Sequence, residues 1–483
     1  MNSIEISNLA FKYKSWVAKK NKPVFTDLDL SVKKGEHLLI LSKPEGGKTT
    51  FSRIISGLIP KFIDGKLSGS VFLNERNIEE VEPYNLIKDI CYVSQNPLEM
   101  FVSTTCENEV AFPLQSMGIE QKEIEKKVSE ALFKWGLTNY AKASPFELSG
   151  GERKRLLLAV SNAIEPSIYI FDESFDDLDK YWRDFLAKEI MSTNKTIITL
   201  SARYLVQFEG VFDKIKVLEG GSIRSIDEIE ALRLFTHKDI NTYLRDSVLI
   251  KPIAERTRLY GGKIQSLCVK NLTAIRKRES IKDEKPFKMD CVDFNIKSCE
   301  VIRLIGSNGS GKSTFSRILC GLDEYDSGMI NLNDKSAIAT KLQANVGYLF
   351  QNPDYQIFLP TIYEELAWGL INSGIYSNKQ VKKMVEECAK LFSLDVNDTP
   401  TTMSFALRKR LQAAVYYLLD RPFLILDELD GAMSYDDAYF IINELSKKGC
   451  ALVIITHDHN FAKDIADKTY LVDYGKMEVL HEC

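Results

Sequence analysis

An internal duplication constrains the fold of this chain more than any other feature. "GGKTTFSRIISGL", beginning at Gly46, returns as "SGKSTFSRILCGL" at Ser310. "YVSQNP" at Tyr92 returns as "YLFQNP" at Tyr348, and "IFDE" at Ile170 returns as "ILDE" at Ile425. Three separated blocks in one order, with an offset that drifts only slowly, mean two homologous domains with small differences in loop length. A length of 483 residues agrees, being too great for one ordinary core. The expected division is 1–222, a linker over 223–262 whose first half has helical periodicity, and 263–483.

In each half, apolar strand-like runs precede helical patterns: "EHLLILS" then "TTFSRIISGL", followed by "PSIYIFDE" and "KTIITLS". This pattern predicts an α/β architecture with a largely parallel central sheet. "QKEIEKKVSEALFKWGL" and "NKQVKKMVEECAKLFSL" predict amphipathic helices, and hence a helical subdomain in each half.

Composition narrows the function classes. The chain is 45% hydrophobic and 27% charged, as in soluble globular proteins, and its net charge of −4 supplies no basic field for nucleic acid or an anionic bilayer. No apolar run reaches the roughly 18 residues of a membrane-spanning helix. The start, "MNSIEISNLAF", does not resemble a signal peptide, and the nine cysteines are scattered without a CxxC pair. The expectation is a cytosolic protein with reduced, mostly buried thiols.

The strongest chemical signal is "GSNGSGKST", Gly306 to Thr314, which follows a strand and opens a helix. Gly306, Gly309 and Gly311 let backbone N–H groups, with Ser307, Asn308, Ser310 and Thr314 alongside, close around phosphate oxygens. Lys312 would reach the β- and γ-phosphates and the Ser313 hydroxyl would ligate Mg²⁺. The first half has "SKPEGGKTT", in which Gly46, Gly47, Lys48, Thr49 and Thr50 keep the pattern. Ser42 replaces the first glycine there and Glu45 stands in the place of Gly309, a carboxylate that weakens phosphate binding unless it points outward. The acidic pairs end apolar strands: Asp172 and Asp427 would orient Mg²⁺, and Glu173 and Glu428 would polarise the attacking water as general bases. Gln95 and Gln351, each before "NP", place a side-chain oxygen within reach of metal or water.

With "LSGGERKRL" at 148–156 between the glutamine and acidic blocks, both halves resemble nucleotide-binding domains of the ABC ATPases over nearly the whole chain except the linker. The resemblance implies two P-loop NTPase domains of ABC type, each with a helical subdomain and a small antiparallel β subdomain. It also implies intramolecular head-to-tail pairing of the two domains, with ATP and Mg²⁺ held between the phosphate loop of one and the signature of the other. The Lys312 site then receives Ser149, Gly150, Gly151 and Glu152, together with its own Glu428 and the switch histidine His457. The Lys48 site receives "MSFAL", where Phe405 and Ala406 replace both glycines and side chains hinder close approach to phosphate. Its own strand has Ala202 or Arg203 where the histidine belongs, and His37 is remote in sequence. Leu178–Asp179 in the first half become Met433–Ser434 in the second. Signature, histidine, phosphate loop and this aspartate all depart from the family pattern on one site, which implies one hydrolytic and one degenerate site, although two features run the other way. Glu173 survives in the weaker one, and Tyr13, matching the family's adenine-stacking aromatic, corresponds to Arg276.

"FQNPDYQIFLPTIYEELAWGL" closely resembles the glutamine-loop region of energy-coupling factor (ECF) transporter ATPases, and "SQNPLEMFVSTTCENEVAFPL" is a divergent version. That resemblance implies a vitamin or metal-ion importer and a location on the cytoplasmic face of the membrane. Its partners would be a transmembrane coupling subunit, docked near Met100, Phe101, Val102, Ile357, Phe358 and Leu359, and a membrane substrate-binding subunit. The rival class is a soluble tandem ABC ATPase acting on ribosomes or DNA. Its features, a long charged linker and two intact signatures, are absent here, and no nucleic-acid partner is expected.

Overall fold

A computed structural model of the chain describes residues 1–14, 23–236, 238, 240–244, 247–260, 264–277, 286–431, 433–458 and 460–482. The chain forms two compact units that divide after Thr236. Among the described residues, each contains one six-stranded sheet and one four-stranded antiparallel sheet.

In the first unit the larger sheet runs, in spatial order, Ser222–Ile226, Lys214–Glu219, His37–Leu41, Thr196–Ser201, Ile168–Asp172, Ile90–Val93. All neighbours are parallel except the edge pair Ser222–Ile226 and Lys214–Glu219. Every residue of His37–Leu41 is buried, as a central parallel strand covered on both faces must be. The second unit repeats this order with Lys476–Glu482, Lys468–Asp473, Val301–Ile305, Ala451–Ile455, Phe423–Asp427 and Val346–Leu349. The carboxyl ends of the strands gather at one edge of each sheet. There Leu41 and Ile305 lead into the phosphate loops, beside Asp172 and Asp427, in the crevice where open α/β sheets bind ligands.

The smaller sheet is built on Asn2–Tyr13 in the first unit and Ser266–Arg276 in the second. The predicted amphipathic helices are Gln121–Lys134 and Asn378–Leu391; with Cys106–Ser116 and Ile362–Ser373 they form the helical subdomains.

The segment 223–262 is divided by the fold. Residues 223–226 complete an edge strand of the first unit, and helix Glu228–Phe235 buries Ala231 and Phe235 in that unit's core. Leu244 and Leu249 belong to the core of the second unit, where Tyr243 stacks on Tyr439 at 4.7 Å. Among the described residues no helix is long and apolar enough to cross a membrane.

Candidate functional site

The two phosphate loops share one backbone posture. Gly47 and Gly311, at φ 98° and 111°, precede helices Lys48–Ile55 and Lys312–Leu319, a left-handed conformation that favours glycine. Lys48 Nζ donates to the carbonyls of Ser42 and Lys43 at 2.7 and 3.3 Å, and Lys312 Nζ donates to those of Gly306 and Ser307, both at 2.9 Å. Glu45 takes φ 65° where Gly309 has 77°. It is exposed, so the carboxylate lies on the outer side of the loop, and a Cβ at Gly309 would meet nothing within 4 Å.

The loss of the first glycine is compensated within the loop. A Cβ at Gly306 would come 2.2 Å from the carbonyl oxygen of Val472 and 2.9 Å from Ser310 Oγ. In the first unit Ser42 instead donates its hydroxyl to the carbonyl of Leu218 at 2.7 Å. The register of Leu41 beside Val217 and of Ile305 beside Leu471 makes Leu218 the counterpart of Val472. Gly46 replaces Ser310, and a Cβ there would stand 1.8 Å from Ser42 Oγ. Serine and glycine have exchanged walls of the loop.

The carboxylate blocks end buried strands. Glu173 and Glu428 have φ 48° and 46°, left-handed values that cost a non-glycine residue about 1 kcal/mol. Their N–H groups bond the carbonyls of Leu200 and Ile455, which aligns Ala202 with His457 and Arg203 with Asp458. The alternative left open by the sequence is thereby decided: alanine takes the histidine's place.

That exchange rewires the first unit. In the second, Gln351 Nε2 donates to Glu428 Oε2 at 2.7 Å and His457 Nε2 lies 2.8 Å from Glu428 Oε1. In the first, the N–H of Ala202 donates to Glu173 Oε2 at 3.1 Å, Lys48 Nζ lies 3.3 Å from Glu173 Oε1, and no hydrogen bond joins Gln95 to Glu173. The electrostatics diverge accordingly. Burial pushes the Glu428 carboxyl up, but His457, Lys312 and Lys409 outweigh it and hold it below the usual carboxylate range. Burial pushes Glu173 up to about 7; Lys48 pulls against it, and Asp176 and Asp172 add to the rise. Arg203, displaced into the strand end, forms a buried ion pair with Asp176 at 2.9 Å.

The aspartates suit a hard cation. Tyr92 donates its hydroxyl to Asp172 Oδ2 at 3.1 Å, while Asp172 Oδ1 is buried without a hydrogen-bond partner. Tyr348 donates likewise to Asp427 Oδ2. Burial raises both carboxyls, Asp427 to about 6 with Glu428 adding to the rise. With the hydroxyls of Thr49 and Ser313 and the amides of Gln95 and Gln351, each set offers oxygen donors of the kind Mg²⁺ accepts. These two tyrosines were missed in the sequence, although each lies three residues before the glutamine in both repeats.

The signature segments occupy equivalent helix starts. Ser149 caps Gly150–Ile164 in a reciprocal box: its N–H donates to Glu152 Oε2 at 2.7 Å and its Oγ accepts from the Glu152 N–H at 3.4 Å. Ser404 caps Phe405–Leu419 through the N–H of Leu407, which stands where Glu152 does and carries no acceptor. Asp179 and Ser434 both cap the helices that follow, so the exchange keeps the cap and loses only the charge. Tyr13 donates or accepts at Thr50 Oγ1 over 2.9 Å beside the first phosphate loop. Asn8 and Asn271 lie against Gly69 and Gly328, which fixes the strand register and pairs Tyr13 with Arg276. His37 lies at the opposite end of its strand from the phosphate loop.

Two buried glutamates shape the loops after the glutamines. Glu109 Oε2 accepts from the N–H groups of Val102 and Ser103 at 3.0 and 2.7 Å, and Glu365 Oε2 from those of Phe358 and Leu359 at 3.2 and 2.8 Å. Phe358 and Trp368 are 70% and 52% exposed and their counterparts Val102 and Phe112 67% and 51%, while Phe101, at the position of Ile357, is buried against the first unit's core.

A family model agrees with this architecture. The family model described as ABC transporter matches residues 25–176 and 289–430. An ABC transporter ATP-binding protein of Treponema denticola is 27% identical, with 98% of this chain aligned to 96% of that one. One from Methanosarcina mazei is 28% identical, over 98% of this chain and 88% of that one. Among solved structures, cbiO1 of Clostridium perfringens, part of the ABC transporter complex cbiONQ, aligns over 44% of this chain and 86% of its own, with 24% identity and a TM-score of 0.39.

Proposed function

Because this chain belongs to the ABC transporter family and is an ATPase with two ATP-binding cassettes, we propose that it energises an ECF-type membrane importer through one hydrolytic and one degenerate site. The hydrolytic site comprises the Lys312 loop, Gln351, Asp427, Glu428 and His457, completed by Ser149–Glu152 of the other cassette in the head-to-tail pairing usual for the family. The degenerate site comprises Thr49, Lys48, Gln95, Asp172 and Glu173 with the broken "MSFAL" segment.

The observation that carries this reading is the contrast between the glutamates. Glu428 is bridged between Gln351 and His457 and held ionised, the state a general base for water needs. Glu173 is engaged by Lys48, the side chain that would otherwise meet phosphate. During hydrolysis Lys312 and the loop amides hold the β- and γ-phosphates while Glu428 takes the proton of the attacking water. His457 contacts the γ-phosphate. Mg²⁺ would be held by Ser313, Gln351 and Asp427, and would neutralise charge on the phosphates. Glu428→Gln should abolish ATP hydrolysis by the full chain while Glu173→Gln leaves most of it. Equal losses would remove the asymmetry.

The importer reading rests on the glutamine-loop segments. Phe358, Trp368 and Ile371 expose apolar surface beside a loop pinned by Glu365, a surface suited to the short helices of a transmembrane coupling subunit. The substrate, a vitamin or a metal ion, would be selected by a separate membrane-embedded binding subunit, with the chain on the cytoplasmic face. A tagged pull-down from detergent-solubilised native membranes tests this. Recovery of a polytopic subunit with a small membrane protein supports it; recovery of ribosomes or repair proteins alone would favour the soluble tandem class.

A further inference from the structure

Lys154 and Lys409 are fully buried cations outside the phosphate loops. They occupy equivalent positions on the helices Gly150–Ile164 and Phe405–Leu419. Removing an ammonium from water costs several kcal/mol, so its partners must be specific. Lys409 Nζ donates to the carbonyls of Phe350, Asp427 and Glu428 at 3.3, 3.1 and 3.3 Å. Lys154 Nζ donates to the carbonyls of Ser94 and Gln95 at 3.0 and 2.9 Å, with Asp177 Oδ2 at 3.9 Å.

Phe350 immediately precedes Gln351, and Asp427 and Glu428 are the acidic block itself. One ammonium therefore ties together the backbone on both sides of the Gln351–Glu428 hydrogen bond. Glu428 holds a left-handed backbone, not a conformation that glutamate prefers, and the ammonium bonds that residue's own carbonyl.

We propose that Lys409 is a positioning residue for hydrolysis, holding Gln351 and Glu428 in register without touching nucleotide. This rests on Glu428 being the general base. The helix that carries Lys409 begins with the broken segment Phe405–Ala406, so the effect of replacing it is separable from the signature contact. It acts within its own cassette, through the two backbone segments it bonds.

The experiment is steady-state ATP hydrolysis and ATP binding by the full chain carrying Lys409→Met, Lys409→Gln, Lys409→Arg or Glu428→Gln. Lys409→Met should lower kcat by at least about tenfold while KM for ATP stays within about threefold, the split expected when geometry rather than binding is lost. Lys409→Gln keeps N–H donors without the charge, and Lys409→Arg keeps both; each should recover part of kcat. A folded Lys409→Met that turns over within about twofold of the natural chain overturns the proposal, as does a loss confined to KM. If the methionine variant does not fold, a glutamine variant of unchanged melting temperature and unchanged kcat across pH 6–9 overturns it, and one with kcat lowered at unchanged KM supports it. Glu428→Gln, run in parallel, separates the two ideas: activity surviving there removes the assigned base, whereas activity lost there but kept in the lysine variants removes only the tie.

Discussion

Ala202 shows how far one missing side chain reaches. Without the imidazole, Glu173 turns to the backbone N–H of Ala202 and to Lys48; burial, with Asp176 and Asp172, outweighs both and pushes its carboxyl up to about 7. In an unfolded chain the same group titrates near 4.3. Between these values the unfolded chain releases a proton that the folded chain keeps, so this group's contribution to stability is present at low pH and lost as pH rises towards 7. In nucleotide-free denaturant titrations, the stability of Glu173→Gln relative to the natural chain should therefore climb from pH 5 to pH 8. A difference that falls over that range would contradict the assignment. Residue identity alone left Ala202 and Arg203 open as replacements for the histidine, because the choice depends on which residue bonds the carboxylate strand. Lys154 and Lys409 were harder still to read: in "RKR" a lysine looks like a solvated charge, and only three-dimensional burial distinguishes it.

Elements were more legible than their junctions. The parallel strands announced themselves as unbroken apolar runs, and Gln121–Lys134 and Asn378–Leu391 by helical spacing, because both patterns follow directly from burial on fixed faces. The strand Ser222–Ile226 is short, half-exposed and alternates weakly, so in sequence it merges with the helical segment after it; Gly220 and Gly221, at φ 60° and 81°, make the turn that folds it back. Glu109 and Glu365 likewise read as members of acidic runs, yet each anchors two consecutive N–H groups of the loop before its helix. Glu365→Ala removes that acceptor and should free the loop at Phe358–Leu359. Amide hydrogen exchange there should rise by about tenfold or more while the phosphate loop is unaffected. Unchanged exchange would mean the loop is held by its apolar contacts instead.

At the scale of the whole molecule, the chain between the repeated blocks is not a free tether. Arg256, at the middle of helix Ile253–Tyr260, is buried, donates to the carbonyl of Cys299 at 2.9 Å and pairs with Asp467. Arg256→Met should cost the second unit about 2–3 kcal/mol, seen as a lower denaturation midpoint for that unit alone. Duplication also leaves a history in the phosphate loops. Ser42 with Gly46 and Gly306 with Ser310 are two solutions to one packing problem, and a mixture is admissible in one direction only. Gly46→Ser introduced first drives a Cβ to 1.8 Å from Ser42 Oγ, so ATP binding at Lys48 should be lost. After Ser42→Gly the same substitution should be accepted, as equilibrium binding of a fluorescent ATP analogue would report. The order of steps matters: the first unit can reach the second unit's arrangement only through the glycine–glycine pair, so the serine at 42 must leave before one can enter at 46.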